Sequence, residues 1–252
     1  MAQQDYLPDP AHVLQTIDMA PPPGVAADLG PEAAPFTILR TDEQDEYEPQ
    51  IPREILEATA AAGPALSENF AGTDRKAAKI SIAHGGLEEL DDLGALLDSL
   101  TPDEDMIAHD PEITRDEHSD RVEEELRNVR VKVCWLYAAS REKDNDFHCI
   151  IGTDPDQTPR RFMNAEVSGL PSKKSAAFAK IKGSRASFKA IVQNNLPGFG
   201  YDFYKPPRPI AIDGSLFFDI THASGGKPGP AKVKPESIWE IHPVTGMSMR
   251  KP

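Results

Sequence analysis

Past Val129 the chain changes texture, and that change limits its fold more than any other feature. Val129–Ala139 alternates, with Val131, Val133, Trp135 and Tyr137 on one parity, and predicts a strand. A polar turn, Ser140–Asn145, leads to a second strand over Asp146–Thr153. A Pro-containing turn, Asp154–Pro159, leads to a third over Arg161–Val167. Ser172–Leu196 then reads as a helix. Phe178, Ile181, Phe188, Ile191 and Val192 fall near one face, Ser172 is the expected N-cap, and Gly183 interrupts the pattern. After a Gly/Pro/Tyr loop, Pro209–Asp219 predicts a fourth strand with a bulge at Gly214. After a Gly/Pro/Lys loop, Ser237–Met247 predicts a fifth. The order β-β-β-α-β-β gives the expected fold class, mainly β with one helix. Over residues 129–249 it suits a small five-stranded OB-like Greek-key barrel, and a split sheet covered by one helix fits the same string.

The rest of the chain contrasts with this domain. Residues 1–130 carry nine basic and thirty acidic side chains, net −21, whereas residues 131–252 carry net +7. Pro21, Pro22 and Pro23 are consecutive, and Thr41–Glu48 is almost wholly polar. Such a composition buries too little apolar surface to offset ordering entropy of about 1–2 kcal/mol per residue. Residues 1–125 are therefore expected to be a long, largely disordered acidic region, with a short helix near Pro52–Ala62. One island stands out near residues 86–100. Leu87, Leu90, Leu93, Leu97 and Leu100 mark one helical face, opposite an acidic face. That amphipathic helix either packs on the domain or docks a protein partner. Thr101–Arg121 reads as an acidic loop.

Cys134 and Cys149 both lie in apolar runs and form no Cys-x-x-Cys pair, which predicts two buried thiols in a reducing compartment. A disulfide across a hairpin is the alternative. The N-terminus lacks a basic start with an apolar stretch, and no run approaches the ~18 apolar residues of a membrane span, so a cytoplasmic, non-membrane protein is expected. There is no internal repeat, no phosphate-binding Gly-x-x-x-x-Gly-Lys loop, no dinucleotide fingerprint and no Gly-x-Ser-x-Gly elbow.

The chemistry-bearing residues sit on the strands. Positions two apart share a face, so Asp146 points with His148, and Glu240 with His242. Asp219 and His222 flank the end of the fourth strand. Three elements thus each bring one carboxylate and one imidazole. Such pairs serve divalent metal sites and general acid–base catalysis, and they also occur as plain structural hydrogen bonds. Asp146, His148, Asp219, His222, Glu240 and His242 are the candidate catalytic residues. His148, His222 and His242 are the candidate ligands of a divalent metal, the one cofactor this chemistry suggests.

Three stretches carry a resemblance. Asp144-Asn145-Asp146-Phe147-His148, then Gly214–His222 with Phe217-Phe218-Asp219, then Glu240-Ile241-His242-Pro243-Val244 resemble the three blocks of an uncharacterised bacterial domain family. Its blocks read D-x-D-x-H, G-x-x-F-F-D-x-x-H and E-x-H-P-V. The likeness covers about residues 131–247. It departs from the family pattern at Ala223–Ile238, a Lys/Gly/Pro-rich segment in place of a shorter, more uniform loop. The resemblance implies that the three blocks belong together and assigns no activity.

A second candidate surface is basic. Lys173, Lys174, Lys180, Lys182, Arg185 and Lys189 crowd the helix, and Tyr201, Phe203 and Tyr204 interleave beyond it. On an OB-like barrel this combination holds single-stranded nucleic acid, with phosphates on cations and bases stacked on rings. A solvated helix face and a cap of aromatics is the plainer reading. Three functional classes stay open. The first is a binding module for nucleic acid or an anionic protein surface, masked by the acidic region. The second is a metal-dependent hydrolase of phosphodiester type, using the Asp/His/Glu cluster. The third is a scaffold whose acidic half recruits a protein partner.

Overall fold

A computed structural model describes residues 5–19, 34–45, 49–62, 67–223 and 226–250. In chain order its strands are β1 (Val13–Met19), β2 (Phe36–Thr41), β3 (Leu87–Leu90), β4 (Asn128–Arg141), β5 (Phe147–Gly152), β6 (Phe162–Val167), β7 (Asp202–Phe218) and β8 (Trp239–Met249). Its α-helices are α1 (Arg53–Ala62), α2 (Lys76–Lys79), α3 (Leu93–Asp98), α4 (Asp103–Ile107) and α5 (Phe178–Ile191). The protein is mainly β.

Five strands close a barrel. β4 pairs antiparallel with β5, and β5 with β6; β6 runs parallel to β8; β8 pairs antiparallel with β7, and β7 with β4. The helix α5 lies between the third and fourth barrel strands. The expected strand at Pro209–Asp219 is longer than its texture suggests, because β7 begins at Asp202 and runs through Pro206, Pro207 and Pro209. Pairing with β4 passes from Ala138↔Phe203 to Leu136↔Arg208 across a register shift, so two of the prolines, which lack an N–H, fall where the ladder is broken. The expected bulge is present, with register shifts on both sides of Gly214. The helix starts at Phe178 rather than at Ser172, and its N-cap position, Ala177, makes no side-chain cap.

One parity of the barrel strands forms the main core: Phe147, Cys149 and Ile151 of β5, Met163, Ala165 and Val167 of β6, and Trp239 and Ile241 of β8. Phe188 and Ile191 of α5 join it. Each large side chain buried there contributes about 1.5–3 kcal/mol by leaving water. Cys134 and Cys149 are both buried and free, so no disulfide joins them.

The acidic half takes more part in this fold than its composition predicts. β2 adds to β7, and β1 to β2, while β3 pairs parallel with β4. Leu93, Leu96, Leu97, Met106 and Ile113 enter the main core. The barrel supplies the apolar partner surface that residues 1–125 lack by themselves. The few arginines of this half supply the fastening. Arg75 and Glu125 form a buried two-pronged pair at 2.7 and 2.8 Å, and Arg75 also donates to the carbonyls of Asp120 and Phe218. Arg121 donates to the carbonyls of Ala78, Leu216 and His242. Arg40 clasps Asp202.

The expected continuous helix over 86–100 divides into strand β3 and helix α3. Asp92 accepts from the N–H of Ala95 at 2.9 Å, and this N-cap, two residues past the end of β3, starts the helix. Leu93, Leu96 and Leu97 are buried in the core, whereas Leu87 is exposed, so the segment packs on the domain through the leucines of α3. α1 lies where the sequence places a short helix, and α4 falls within the stretch read as an acidic loop. The three consecutive prolines at 21–23 lie outside the described residues. No helix among the described residues is long and apolar enough to cross a membrane.

Candidate acid–histidine pocket

The other parity of the same strands carries the polar groups, beside Ile150, Phe162 and Val244. His148 of β5, Asn164 and Glu166 of β6, and Glu240 and His242 of β8 are all nearly inaccessible to solvent. His148 and Glu166 are registered partners across β5 and β6, and Asn164 and Glu240 are partners across β6 and β8. The β4–β5 hairpin adds Glu142, Asp144 and Asp146. The segment after β7 adds Asp219 and His222, and α2 adds Lys79. Most of these groups line a cavity of about 370 Å³, whose wall also includes Asp45, Asp74, Arg115, Arg141 and Lys143.

The structure brings the three blocks together, keeps the expected pairs Glu240–His242 and Asp219–His222, and replaces the pair Asp146–His148. His148 Nδ1 lies 2.9 Å from Glu142 Oε1 and 2.9 Å from Glu166 Oε1. Asp146 instead faces His242, with Nε2 3.3 Å from Oδ2, and His242 Nδ1 is 3.5 Å from Glu240 Oε2. Asp219 and His222 also pair as neighbours, at 3.5 Å. For His148 and Glu166 the reason is geometric. Registered residues on adjacent strands stand about 4.5–5.5 Å apart at Cβ, closer than residues i and i+2 on one strand. The candidate metal set changes as well. His148, His222 and His242 do not form a three-ligand group. Among the described residues, Asp45, Glu142 and His148 are the only His, Cys, Asp or Glu side chains that offer three ligand atoms within 4.8 Å of one another.

Burial and charge push the carboxyls in opposite directions. Burial, opposed by His148, raises Glu166 to about 8. Burial also raises Asp146 to about 7, against the N–H of Gly169 and the charge of Lys79, and it raises Asp144 to about 8 with help from Asp146 and Glu142. Burial and the charge of Asp219 hold Glu240 well above the carboxylate range. Two neighbours go the other way. At Glu142 the effect of burial is outweighed by the hydrogen bond and charge of His148, which keep it low. At Asp219 burial is outweighed by Lys79, His222 and Thr221, which hold it at about 2. His148 is raised by Tyr201, Glu166 and Glu142 despite burial, whereas burial together with Lys79 and Arg121 keeps His242 well below its ordinary value.

The hairpin is held in place from outside. Gly169 donates to Asp146 Oδ1 at 2.5 Å, and a Cβ at residue 169 would stand only 2.6 Å from the Phe70 Cα, so the close approach requires glycine. Arg185, expected on a nucleic-acid surface, is buried instead. It donates to the carbonyls of Asn145, Val167 and Ser168 and stacks on Phe147.

The rest of the basic surface divides. Lys173, Lys174, Lys180 and Lys182 are exposed, and Lys189 pairs with Glu68. Tyr201, Phe203 and Tyr204 are buried and show no ring face to solvent. Tyr201 donates to Asp45 Oδ2 and packs edge-on against His148. The aromatics expected to stack bases are core residues, because β7 starts at Asp202 and carries Phe203 and Tyr204 into the sheet, with Tyr201 packed just before it.

Sequence reasoning missed Glu142, Asp144, Glu166, Lys79 and Asp45. Glu166 had a signal: in Phe-Met-Asn-Ala-Glu-Val it shares with Asn164 the parity opposite the apolar one. Glu142 and Asp144 continue the spacing of two that leads through Asp146 to His148. Lys79 and Asp45 had none, since both come from the half read as unstructured. Comparison of the chain with protein-family models, with curated proteins and with solved structures finds no match.

Proposed function

We propose that this pocket is the active site of a hydrolase acting on a phosphodiester-type bond, built on an OB-type barrel. The strand order, with β6 parallel to β8 and a helix between the third and fourth strands, fits that barrel type. OB barrels bind ligands on the face of strands two and three and on the loops beside it. Here those positions are β5, β6, the hairpin at Glu142–Asp146 and the segment from Asp219, which are the elements that build the pocket.

One observation carries the reading: carboxyls of opposite protonation preference share one buried imidazole. His148 pulls Glu142 down and burial raises Glu166 to about 8, and both carboxyls lie 2.9 Å from His148 Nδ1. Carboxyl groups driven apart in this way are suited to act as base and acid in one reaction. Glu142 would take the proton of an attacking water, and Glu166 would supply one to the departing oxygen. Lys79, Arg115, Arg141 and Lys143 on the wall would meet the anionic part of the substrate.

The alternative, a nucleic-acid-binding module, loses its stacking platform with the burial of Tyr201, Phe203 and Tyr204. The test is turnover of a panel of chromogenic phosphodiesters and phosphomonoesters by the full chain, beside Glu142→Gln and Glu166→Gln. The expected result is turnover that falls at least about 100-fold in each variant. No turnover of any substrate, or turnover indifferent to both substitutions, removes the reading.

A further inference from the structure

We infer that Asp45, Glu142 and His148 bind one divalent cation of the oxygen-preferring class, typified by Mn²⁺. The three ligand atoms lie within 4.8 Å of one another. A cation held at about 2.1 Å needs ligand atoms roughly 3–4 Å apart, so side-chain rotations of under about 1 Å complete the site. Two carboxylates and one imidazole are a donor set for Mn²⁺ or Mg²⁺ more than for a thiolate-seeking metal.

Three further observations point to a ligand here. His148 Nε2 and Glu166 Oε2 are buried without a hydrogen-bond partner, and both residues line the cavity. Buried polar atoms of this kind cost about 1–3 kcal/mol each unless something satisfies them. The wall also carries seven carboxyl side chains against four Lys and Arg. Finally, Asp45 is already oriented: the N–H of Gly229 donates to Oδ1 at 2.6 Å, and Tyr201 donates to Oδ2 at 3.1 Å. Outer contacts of this kind fix a ligand's direction.

The site joins parts of the chain distant in sequence. Asp45 follows β2, Glu142 lies at the end of β4, and His148 is on β5. Cation binding would therefore tie the N-terminal half to the barrel, and the ion should stabilise the whole chain against unfolding.

The experiment uses the full chain, freed of metal by chelation and titrated with Mn²⁺. Calorimetry should show one equivalent bound, and thermal melting should show a rise in Tm. Spin-echo modulation of bound Mn²⁺ should show one imidazole nitrogen. Asp45→Asn, Glu142→Gln and His148→Gln should each weaken binding at least tenfold, and the nitrogen modulation should vanish in His148→Gln. Asp91→Asn, an exposed acid outside the pocket, should bind as the unaltered chain does. No binding at millimolar Mn²⁺ or Mg²⁺ overturns the inference. So does a bound ion without nitrogen modulation, which the unaltered chain alone decides should a variant fail to fold. Binding is read without substrate, so a chain that holds Mn²⁺ here and hydrolyses nothing keeps this site and loses the hydrolase reading.

Discussion

The two faces of β5, β6 and β8 are made from alternate residues of the same strands and obey opposite rules. One face is Phe147, Cys149, Ile151, Met163, Ala165, Val167, Trp239 and Ile241, packed into the main core. The other carries His148, Asn164, Glu166, Glu240 and His242, equally buried but polar, beside Ile150, Phe162 and Val244. On the first face burial is the source of stability. On the second it is a cost, because ionisable groups leave water and several polar atoms, including both side-chain atoms of Asn164, lack a partner. Strands that carry so costly a face stay folded because the opposite face and the N-terminal cover hold them. This is the pattern expected where stability gives way to chemistry.

The contrast breaks most sharply at adjacent residues. Trp239 lies on the apolar face, edge-on to Phe218 at 5.4 Å, with its indole N–H donating to the Thr101 carbonyl. Trp239→Ala should cost about 3–5 kcal/mol in urea unfolding. A loss under about 1 kcal/mol would mean that this face is not the core. Asp202 sharpens the comparison as a lone carboxyl on the parity of Tyr204, Ile210 and Ile212, with its own arginine, Arg40. Burial, against the pull of Arg40, raises it from 3.8 to about 6. Its folded value is raised, so its contribution to stability is full below about pH 4 and is lost as pH climbs through 6. That amounts to about 3 kcal/mol at most. Asp202→Asn should flatten the fall in unfolding free energy between pH 4 and 7, and an unchanged slope would assign that fall to other groups.

The barrel was legible because its strands alternate and its turns carry Pro, Gly and Asp. Those features set the order of five strands and one helix to within a few residues, β7 excepted. The long acidic half was not legible. Its order comes from partners supplied by the barrel: carbonyls for Arg75 and Arg121, and an apolar surface for Leu93, Leu96 and Leu97. Composition records what a segment can bury by itself, not what another segment offers it. The site divides in the same way. The D-x-D-x-H, Phe-Phe-Asp and Glu-x-His-Pro-Val stretches identified half of its side chains. The pairing of Asp146 with His242, and the entry of Lys79 and Asp45, depend on strand register and on the covering half.

Relief of the costly face should produce a smaller effect of opposite sign. Glu240 is buried beside Asp219 and Glu166, whose charges oppose its ionisation. Glu240→Gln should raise stability by about 1 kcal/mol while lowering turnover. Chemical unfolding set beside a turnover assay checks this, and joint loss of stability and turnover would make Glu240 a structural anchor instead.

The smallest effect is expected at Cys149, between His148 and Ile150 on one strand. Burial pushes its thiol up, as it does that of Cys134, so neither is a ready nucleophile in the folded chain. Both should react with a chromogenic disulfide reagent only as fast as the protein unfolds, and at equal rates. Cys134 belongs to β4 and is partnered with Ile210, away from the hairpin that closes the pocket, whereas Cys149 lies close behind that hairpin. Should Cys149 react faster than Cys134 under native conditions, the apolar core opens locally at β5, behind the pocket, without opening at β4. The strand that carries His148 would then be the less stable part of that core.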